Sequence, residues 1–401
     1  MTFATARRIW AIGMRRCSTT LPSEVRYMGM QAQGGKPSVL VFEASENWGG
    51  VESFIANEIY PLLGDYAIDV VVQNRDSNVS KRLERMGIRT VECAGSVFSP
   101  SYKKNVLNIF KNNYDIIHFN KNSLLKFPPI LWAKRYTQSK VIIHSHNTQP
   151  SSSTPVAHVH YLLRPFIVRK ADCLLACSQA AGVYMFGDQR QFELIPNGVD
   201  VERYAFNAQD RERMRSELGI APSTHVFTHV GRFSDQKNQR FLIEIFAKYH
   251  VHDADSVLLL VGNHSGMLNE MQQLASTLGV GSSVRFLGVR SDIPRLYSAS
   301  DLAVFPSKHE GLPVTLVEAQ ANGLPILASQ AITKETDIAN LIRFESLDQS
   351  AEQWAARMQQ EIQQPIALEA RKGYADTVRE AGYDMADGIR RMKAIYNRLA
   401  Q

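Results

Sequence analysis

At 401 residues the chain is long enough for two or three domains with buried cores. Its 44% apolar and 21% charged residues are ordinary for a soluble globular protein, which excludes a disordered or fibrous chain. No apolar run approaches the roughly eighteen residues needed to span a bilayer, so no transmembrane helix is expected.

The four cysteines, Cys17, Cys93, Cys173 and Cys177, form no spaced framework. Cys173 and Cys177 sit in the apolar run DCLLACS and are expected to pack as small hydrophobes in a reducing cytoplasm. The net charge of +6 is unevenly spread. To Asn197 there are 23 Lys and Arg against 14 Asp and Glu; from Gly198 there are 22 against 25. The densest basic block, Val79–Lys140, carries twelve basic and three acidic residues. Such a surface suits an anionic partner, either membrane phospholipid at the inner face of the cell membrane or a pyrophosphate-linked acceptor. A merely solubilising surface explains it as well. Nucleic acid is not expected, because no binding motif or basic-aromatic interleaving accompanies the charge.

Residues 1–36 stand apart, with Arg7, Arg8, Arg15 and Arg16 before the first acid at Glu24, and a glycine-rich end. They read as a flexible extension without a part in the chemistry, either a targeting segment or an upstream start. From Ser38 onward short apolar runs alternate with amphipathic stretches, the pattern of parallel sheets covered by helices. Strands are expected at Val39–Phe42, Ile68–Val72, Thr90–Cys93, Ile116–His118, Val141–His144, Cys173–Cys177 and Phe192–Ile195. The pattern restarts at Val226–Val230, Ser256–Val261, Val284–Leu287, Leu302–Phe305, Ile326–Ala328 and Ile342–Phe344. Two doubly wound α/β domains follow, 37–198 and 199–384, joined near Pro196-Asn-Gly-Val-Asp200. A lone amphipathic helix from about Met385 ends the chain.

Ligands of open α/β sheets bind at the carboxyl ends of strands, so candidate groups are sought there. The loop Ser45-Glu-Asn-Trp-Gly49-Gly50 follows the first strand, and its glycines let backbone amides approach a phosphate or sugar. It lacks the G-x-G-x-x-G dinucleotide fingerprint, which argues against a nicotinamide dehydrogenase. The strand Val141–His144 ends in His144-Ser-His146-Asn147, where a histidine can donate to a hydroxyl or phosphate. His118, closing Asp-Ile-Ile-His118, is a second cleft candidate. In Val230-Gly231-Arg232-Phe-Ser-Asp-Gln-Lys237-Asn238, Arg232 offers a planar fork for phosphate oxygens and Lys237 a compact charge. Both precede a helix N-terminus suited to a diphosphate. Gly262 follows the next strand, and Arg290 lies in a later loop. Finally His309-Glu310-Gly311-Leu312-Pro313 joins a buried strand to a helix bearing Glu318, eight residues beyond Glu310, and Gly-Leu-Pro325 closes that helix. In isolation, a helix cap and a solvated helix glutamate are the alternative reading of the two carboxylates.

Taken together these segments resemble the retaining family 4 glycosyltransferases of the GT-B fold, of the exopolysaccharide and capsule type. The phrases carrying the resemblance are GGVESFIANEI, GRFSDQKN, FLGVRSDI and EGLPVTLVEAQANGLP, in matching order over nearly all of Val39–Leu399. The resemblance implies two facing Rossmann-like domains with the final helix crossing back to complete the first. It implies that the first domain binds the acceptor and the second a nucleotide sugar, most often UDP-linked. Glu310 would contact the transferred sugar and Glu318 the ribose. Arg232 and Lys237 would neutralise the leaving diphosphate, and His146, favoured over His144 by alignment, would contact the sugar. Gly50, Gly231, Gly262, Arg290, Gly311, Leu312 and Pro313 would shape the donor site. Gly49, Gly50, His118 and Asn147 would serve the acceptor. VGNHSG departs from the family's usual G-D/E-G, and its glycines would still shape the nucleotide pocket. No metal or other cofactor is implied. The acceptor would be a hydroxyl of a glycan or a polyprenyl-pyrophosphate-linked saccharide. A non-catalytic sugar-nucleotide-binding protein and a sugar-nucleotide epimerase are the rival readings.

Overall fold

A computed structural model describes residues 35–44, 48–147, 155–310 and 312–401, with the side chains of 155–158 excepted. Residues 1–34 of the expected extension, loop residues 45–47 and Gly311 lie outside the described residues.

Among the described residues thirteen strands form two parallel sheets. The first contains β1 (Ser38–Phe42), β2 (Ala67–Val72), β3 (Arg89–Glu92), β4 (Ile116–Lys121), β5 (Lys140–Ser145), β6 (Cys173–Ala176) and β7 (Glu193–Leu194). Their order is β3-β2-β1-β4-β5-β6-β7. The second contains β8 (Val226–Val230), β9 (Val257–Val261), β10 (Val284–Gly288), β11 (Leu302–Phe305), β12 (Ile326–Ser329) and β13 (Ile342–Glu345). Their order is β10-β9-β8-β11-β12-β13. Every expected strand is present, because strands covered by helices on both faces are continuous apolar runs, as in the fully buried Val-Leu-Leu-Leu-Val of β9. The two Rossmann-like sheets are the GT-B arrangement expected of the chain.

Strand order reverses between β1 and β4 in the first sheet and between β8 and β11 in the second. Each reversal leaves a crevice at the carboxyl ends of its two central strands, where adjoining connections leave in opposite directions. Glu43 follows β1, Asn122 follows β4, Gly231 and Arg232 follow β8, and the Pro306–Glu310 segment follows β11.

The terminal helix Met385–Ala400 buries Met392, Ile395 and Tyr396 in the core beneath the first sheet, beside Val39, Ile55 and Ile68. It reaches that position from the second sheet through a short parallel bridge, Val199 to Asp384, with Val199 N–H donating to Tyr383 O at 2.8 Å. Gly198 must be glycine at this crossing, since a Cβ there would lie 2.7 Å from the Cα of Met385. Cys93, Cys173 and Cys177 are free thiols buried in the first domain's cores.

Candidate active site

The second-domain wall is a set of loops knitted by backbone hydrogen bonds. Gly231 N–H donates to Val261 O at 2.9 Å, Gly262 N–H to Gly288 O at 2.8 Å and Phe233 N–H to Asn263 O at 2.8 Å. A Cβ on Gly231 would lie 3.2 Å from His229 Nε2. One on Gly262, whose φ is +144°, would lie 2.2 Å from Gly231 O. Gly262 therefore seats the Gly231–Arg232 loop from below, and its missing side chain faces that backbone instead of open space. Beneath the loop His229 donates from Nδ1 to Val304 O at 2.9 Å, so its Nε2 is left to accept from Gln239 Nε2 at 3.3 Å. Burial pushes His229 down to about 4, which keeps the ring neutral and fits these bonds. Gln239 also donates to Arg232 O at 3.1 Å and accepts from Ser234 N–H at 3.2 Å, fixing both ends of the turn.

The turn ends at Asn238 in the left-handed region, φ +59°, where asparagine is tolerated. The helix Gln239–His250 starts there, and Asn238 Nδ2 donates to Pro306 O at 3.1 Å. Lys308 N–H donates to Gln236 O at 2.8 Å, so the loops after β8 and β11 are tied together. This brings Lys237 Nζ to 2.6 Å from Glu310 Oε1, both mostly shielded from water. Gln236 Nε2 donates to His309 O at 2.9 Å and approaches Glu310 Oε2 at 3.5 Å.

Leu312 is buried, and Pro313 is the N-cap of the helix Val314–Ala321. Glu318, within that helix, is half-buried beside Tyr204 and Arg203. Burial raises its carboxyl to about 7, opposed by the Tyr204 hydroxyl that donates to it and by the Arg203 charge. Arg290 is held by Asp292 through two bonds of 2.8 and 2.6 Å. Its guanidinium is thus already engaged within its own loop.

The first-domain wall faces Arg232 across a pocket of about 350 Å³, lined also by Glu43, Gly49, Gly50, Glu52 and His146. Gly49 N–H donates to Glu52 Oε2 at 2.8 Å, capping the helix Gly50–Phe54, and leaves Gly50 at the pocket surface. His146 hydrogen-bonds through Nε2 to Asn120 Oδ1 at 2.8 Å, and burial drives its pKa down to about 3. Because Asn120 Oδ1 only accepts, the Nε2 carries the proton and Nδ1 keeps a lone pair. Asn147 follows His146 beyond the end of β5 and is half-buried.

His118 does not reach this pocket. The strand expected to end at His118 runs on to Lys121, so His118 is mid-strand and fully buried. Alternation places it with Ile116 on the face covered by the terminal helix. There Nδ1 lies 2.9 Å from Tyr396 Oη and Nε2 lies 3.3 Å from His144 Nδ1. His144 is likewise fully buried, its ring 4.1 Å from that of His146. His146 is thus the half-buried end of a histidine stack and lines the pocket.

The true ends of β1 and β4 carry charged groups that lie outside the sequence motifs. Lys121 is fully buried, forms an ion pair with Glu43 and donates to Lys126 O at 2.8 Å. Glu43 is in the left-handed region at φ +74° and lines the pocket. The polar run Asn120-Lys121-Asn122 directly after an apolar strand was the available signal.

Residues 48–203 match the family model described as Glycosyltransferase Family 4, and residues 210–376 match that of Glycosyl transferases group 1. A Bacillus subtilis (strain 168) protein named glycosyltransferase EpsF is 31% identical over 307 residues, covering 74% of this chain and 79% of that protein. The Escherichia coli UDP-Gal:alpha-D-GlcNAc-diphosphoundecaprenol alpha-1,3-galactosyltransferase is 30% identical over 229 residues, covering 55% of this chain and 58% of the relative. Among solved structures, Anabaena HepE in complex with UDP superposes with a TM-score of 0.73 at 21% identity, over 90% of this chain and all of that one. At that identity the superposition bears on the fold alone. The chain belongs to the group 1, family 4 glycosyltransferases and has their GT-B fold.

Proposed function

We propose that this protein transfers a hexosyl residue, with retention of configuration, from a nucleoside-diphosphate sugar to a hydroxyl of a glycan or a lipid-linked saccharide in surface polysaccharide synthesis. UDP is the carrier in this reading; UDP is bound in the HepE structure and named in the E. coli relative. The observation that carries the reading is the Lys237–Glu310 ion pair, which joins the basic turn after β8 to the carboxylate after β11. Arg232, on that same turn, lines the pocket opposite the Gly49-Gly50 loop.

In this reading Arg232 and Lys237 take the two phosphates, and no metal is required to balance them. Glu310, released from Lys237 by the incoming phosphate, is left to accept from hydroxyls of the donor sugar. Glu318 accepts from the ribose. The bond from C1 to the diphosphate oxygen breaks with its electron pair leaving on the phosphate. The acceptor oxygen then bonds to C1 on the same face and gives its proton to the departing phosphate. Preorganised cations stabilise the charge that develops there, which is where such sites contribute most. Gly49, Gly50 and Asn147 form the acceptor side in this reading, and His146, at the same pocket, lies beside the transferred sugar.

The experiment is a thermal-shift panel of UDP, GDP and ADP sugars, followed by transfer assays with the stabilising donor on lipid-linked and free glycans. Product anomers assigned by NMR report retention. An inverted product overturns the mechanism, and turnover of the nucleotide sugar without an acceptor points to an epimerase.

A further inference from the structure

The wall that the first domain gives to the pocket is opposite in charge to the domain behind it. To Asn197 the chain carries 23 Lys and Arg against 14 Asp and Glu. Yet among the described residues lining the pocket, the first domain contributes two carboxylates, Glu43 and Glu52, and no cation. The cation there, Arg232, comes from the second domain. The Arg82 guanidinium is stacked 3.6 Å from the ring centre of Trp48 and does not line the pocket. Glu52 is buried, its Oε2 accepting from Gly49 N–H at 2.8 Å. Glu43 is the more open of the two, with 27% of its side chain exposed.

Glu43 is held there against its backbone preference. Its φ of +74° is in the left-handed region, where a residue other than glycine stays only when its surroundings fix it. Two neighbours do so. Asn120 Nδ2 donates to Phe42 O at 3.2 Å while its Oδ1 accepts from His146, tying the end of β1 to the imidazole on the same wall. Lys121, whose side chain has no exposed surface, pairs with Glu43 Oε1 and donates to Lys126 O at 2.8 Å. An ammonium so placed anchors the carboxylate but reaches no ligand. A carboxylate has about four acceptor sites, so the pair leaves Glu43 able to accept from a molecule in the pocket.

A wall of carboxylate oxygens accepts from hydroxyls and disfavours anions, because a carboxylate or phosphate brought against it loses water and finds no donor. We propose that Glu43 is a specificity residue for the acceptor. It accepts from a hydroxyl of the sugar that receives the transferred residue, and it selects a neutral sugar there over a uronic acid or a sugar phosphate. The proposal rests on the transfer reading above, in which the donor diphosphate occupies Arg232, and it narrows the acceptor that reading leaves open. Trp48, whose Nε1 donates to Ser53 Oγ at 3.1 Å, and Asn122 line the same pocket. An indole offers apolar surface to the C–H groups of a sugar ring, and an amide both donates to and accepts from hydroxyls, so these residues suit a neutral polyol. The pyrophosphate of a lipid-linked acceptor then lies outside this pocket, beyond the receiving sugar.

The test is a transfer assay of the full chain with the donor that stabilises it. The acceptors are p-nitrophenyl glucoside, galactoside and N-acetylglucosaminide, the corresponding uronides and hexoside phosphates, and lipid-linked versions of the same sugars. The wild type is expected to favour the neutral acceptors by about 10²-fold in kcat/KM. Glu43→Gln should raise the acceptor KM about tenfold and cut the preference to below about tenfold, with the donor KM and the thermal shift by UDP unchanged. That variant leaves Lys121 buried without its counter-charge. Glu43→Gln with Lys121→Met removes both charges and should show the same loss of preference. Thermal unfolding shows which variants are folded. An unchanged preference in a folded variant overturns the proposal and leaves the transfer reading standing, and so does a wild type that uses the anionic acceptors as well as the neutral ones. No transfer to any of these acceptors overturns the transfer reading and this proposal with it.

Discussion

Lys237 Nζ lies 2.6 Å from Glu310 Oε1, joining two motifs that are 73 residues apart in the chain. Without a ligand each charge is the other's partner. The pair keeps both side chains in one place and can be opened only by a group that replaces one of them.

Lys237→Ala and Arg232→Ala should each reduce kcat/KM for transfer by about 10²–10³-fold, the loss typical of removing one preorganised charge from a developing anion. Steady-state assays with the donor identified by thermal shift provide the check. Unimpaired transfer in either variant would sink the assignment of the diphosphate site. Glu318→Ala should chiefly raise the dissociation constant for the nucleotide, measured by calorimetry.

Gly262→Ala tests the seat beneath the Arg232 loop. A Cβ 2.2 Å from Gly231 O cannot be accommodated without moving that loop, and φ +144° is itself strained for alanine. A loss of about 2 kcal/mol or more in urea unfolding is expected, together with weakened UDP binding. Wild-type values in both measurements would contradict the packing.

Acid should act through the buried histidines. Burial holds His118 and His146 near 3 in the folded protein, against 6.5 for a free imidazole. Between those values the unfolded chain binds more protons, so their contribution to stability falls as pH drops from about 6.5 towards 3. Each such histidine contributes a slope of about 1.4 kcal/mol per pH unit. His118→Gln should therefore show a smaller loss of stability between pH 6.5 and 4.5 than the wild type, measured by urea titration across pH. An identical slope would place the proton uptake elsewhere.

Glu58 has the opposite sign. Its carboxyl is fully buried at the crossing of the two domains, accepting from Gly198 N–H at 2.8 Å while Oε2 has no hydrogen-bond partner among the described residues. Burial raises it to about 8, opposed by the Gly198 amide and the Arg391 charge. The folded state thus keeps a proton that the unfolded chain has lost, and stability declines as pH rises from 4.5 to about 8. Glu58→Gln retains the acceptor and should remove this decline, gaining up to about 3 kcal/mol at pH 7.5 relative to pH 5. Parallel wild-type and variant profiles would show that Glu58 is not the group involved.

The strands were legible because a parallel strand buried on both faces must be apolar throughout, a local requirement that β9 and β11 display in four or five residues. Their neighbours were less so. β4 was expected to end at His118 because Asn120 and Lys121 are polar, yet both are buried in the structure. The charge of Lys121 is balanced there by Glu43, 78 residues away, and no local pattern announces a pair at that separation. The same misplaced strand end put His118 in the cleft, whereas one strand turn of alternation sends it beneath the terminal helix to Tyr396.

The sequence by itself determined the two parallel sheets, the carboxyl-end loops and the two charged motifs, since these follow from short-range apolar runs, glycine turns and fixed spacings. Only the tertiary structure decided that Lys237 meets Glu310, that His146 is the one histidine of its stack to reach the pocket, and that Lys121 meets Glu43. Each of those depends on which elements cover one another, and that is settled by burial across the whole chain instead of by neighbours in sequence.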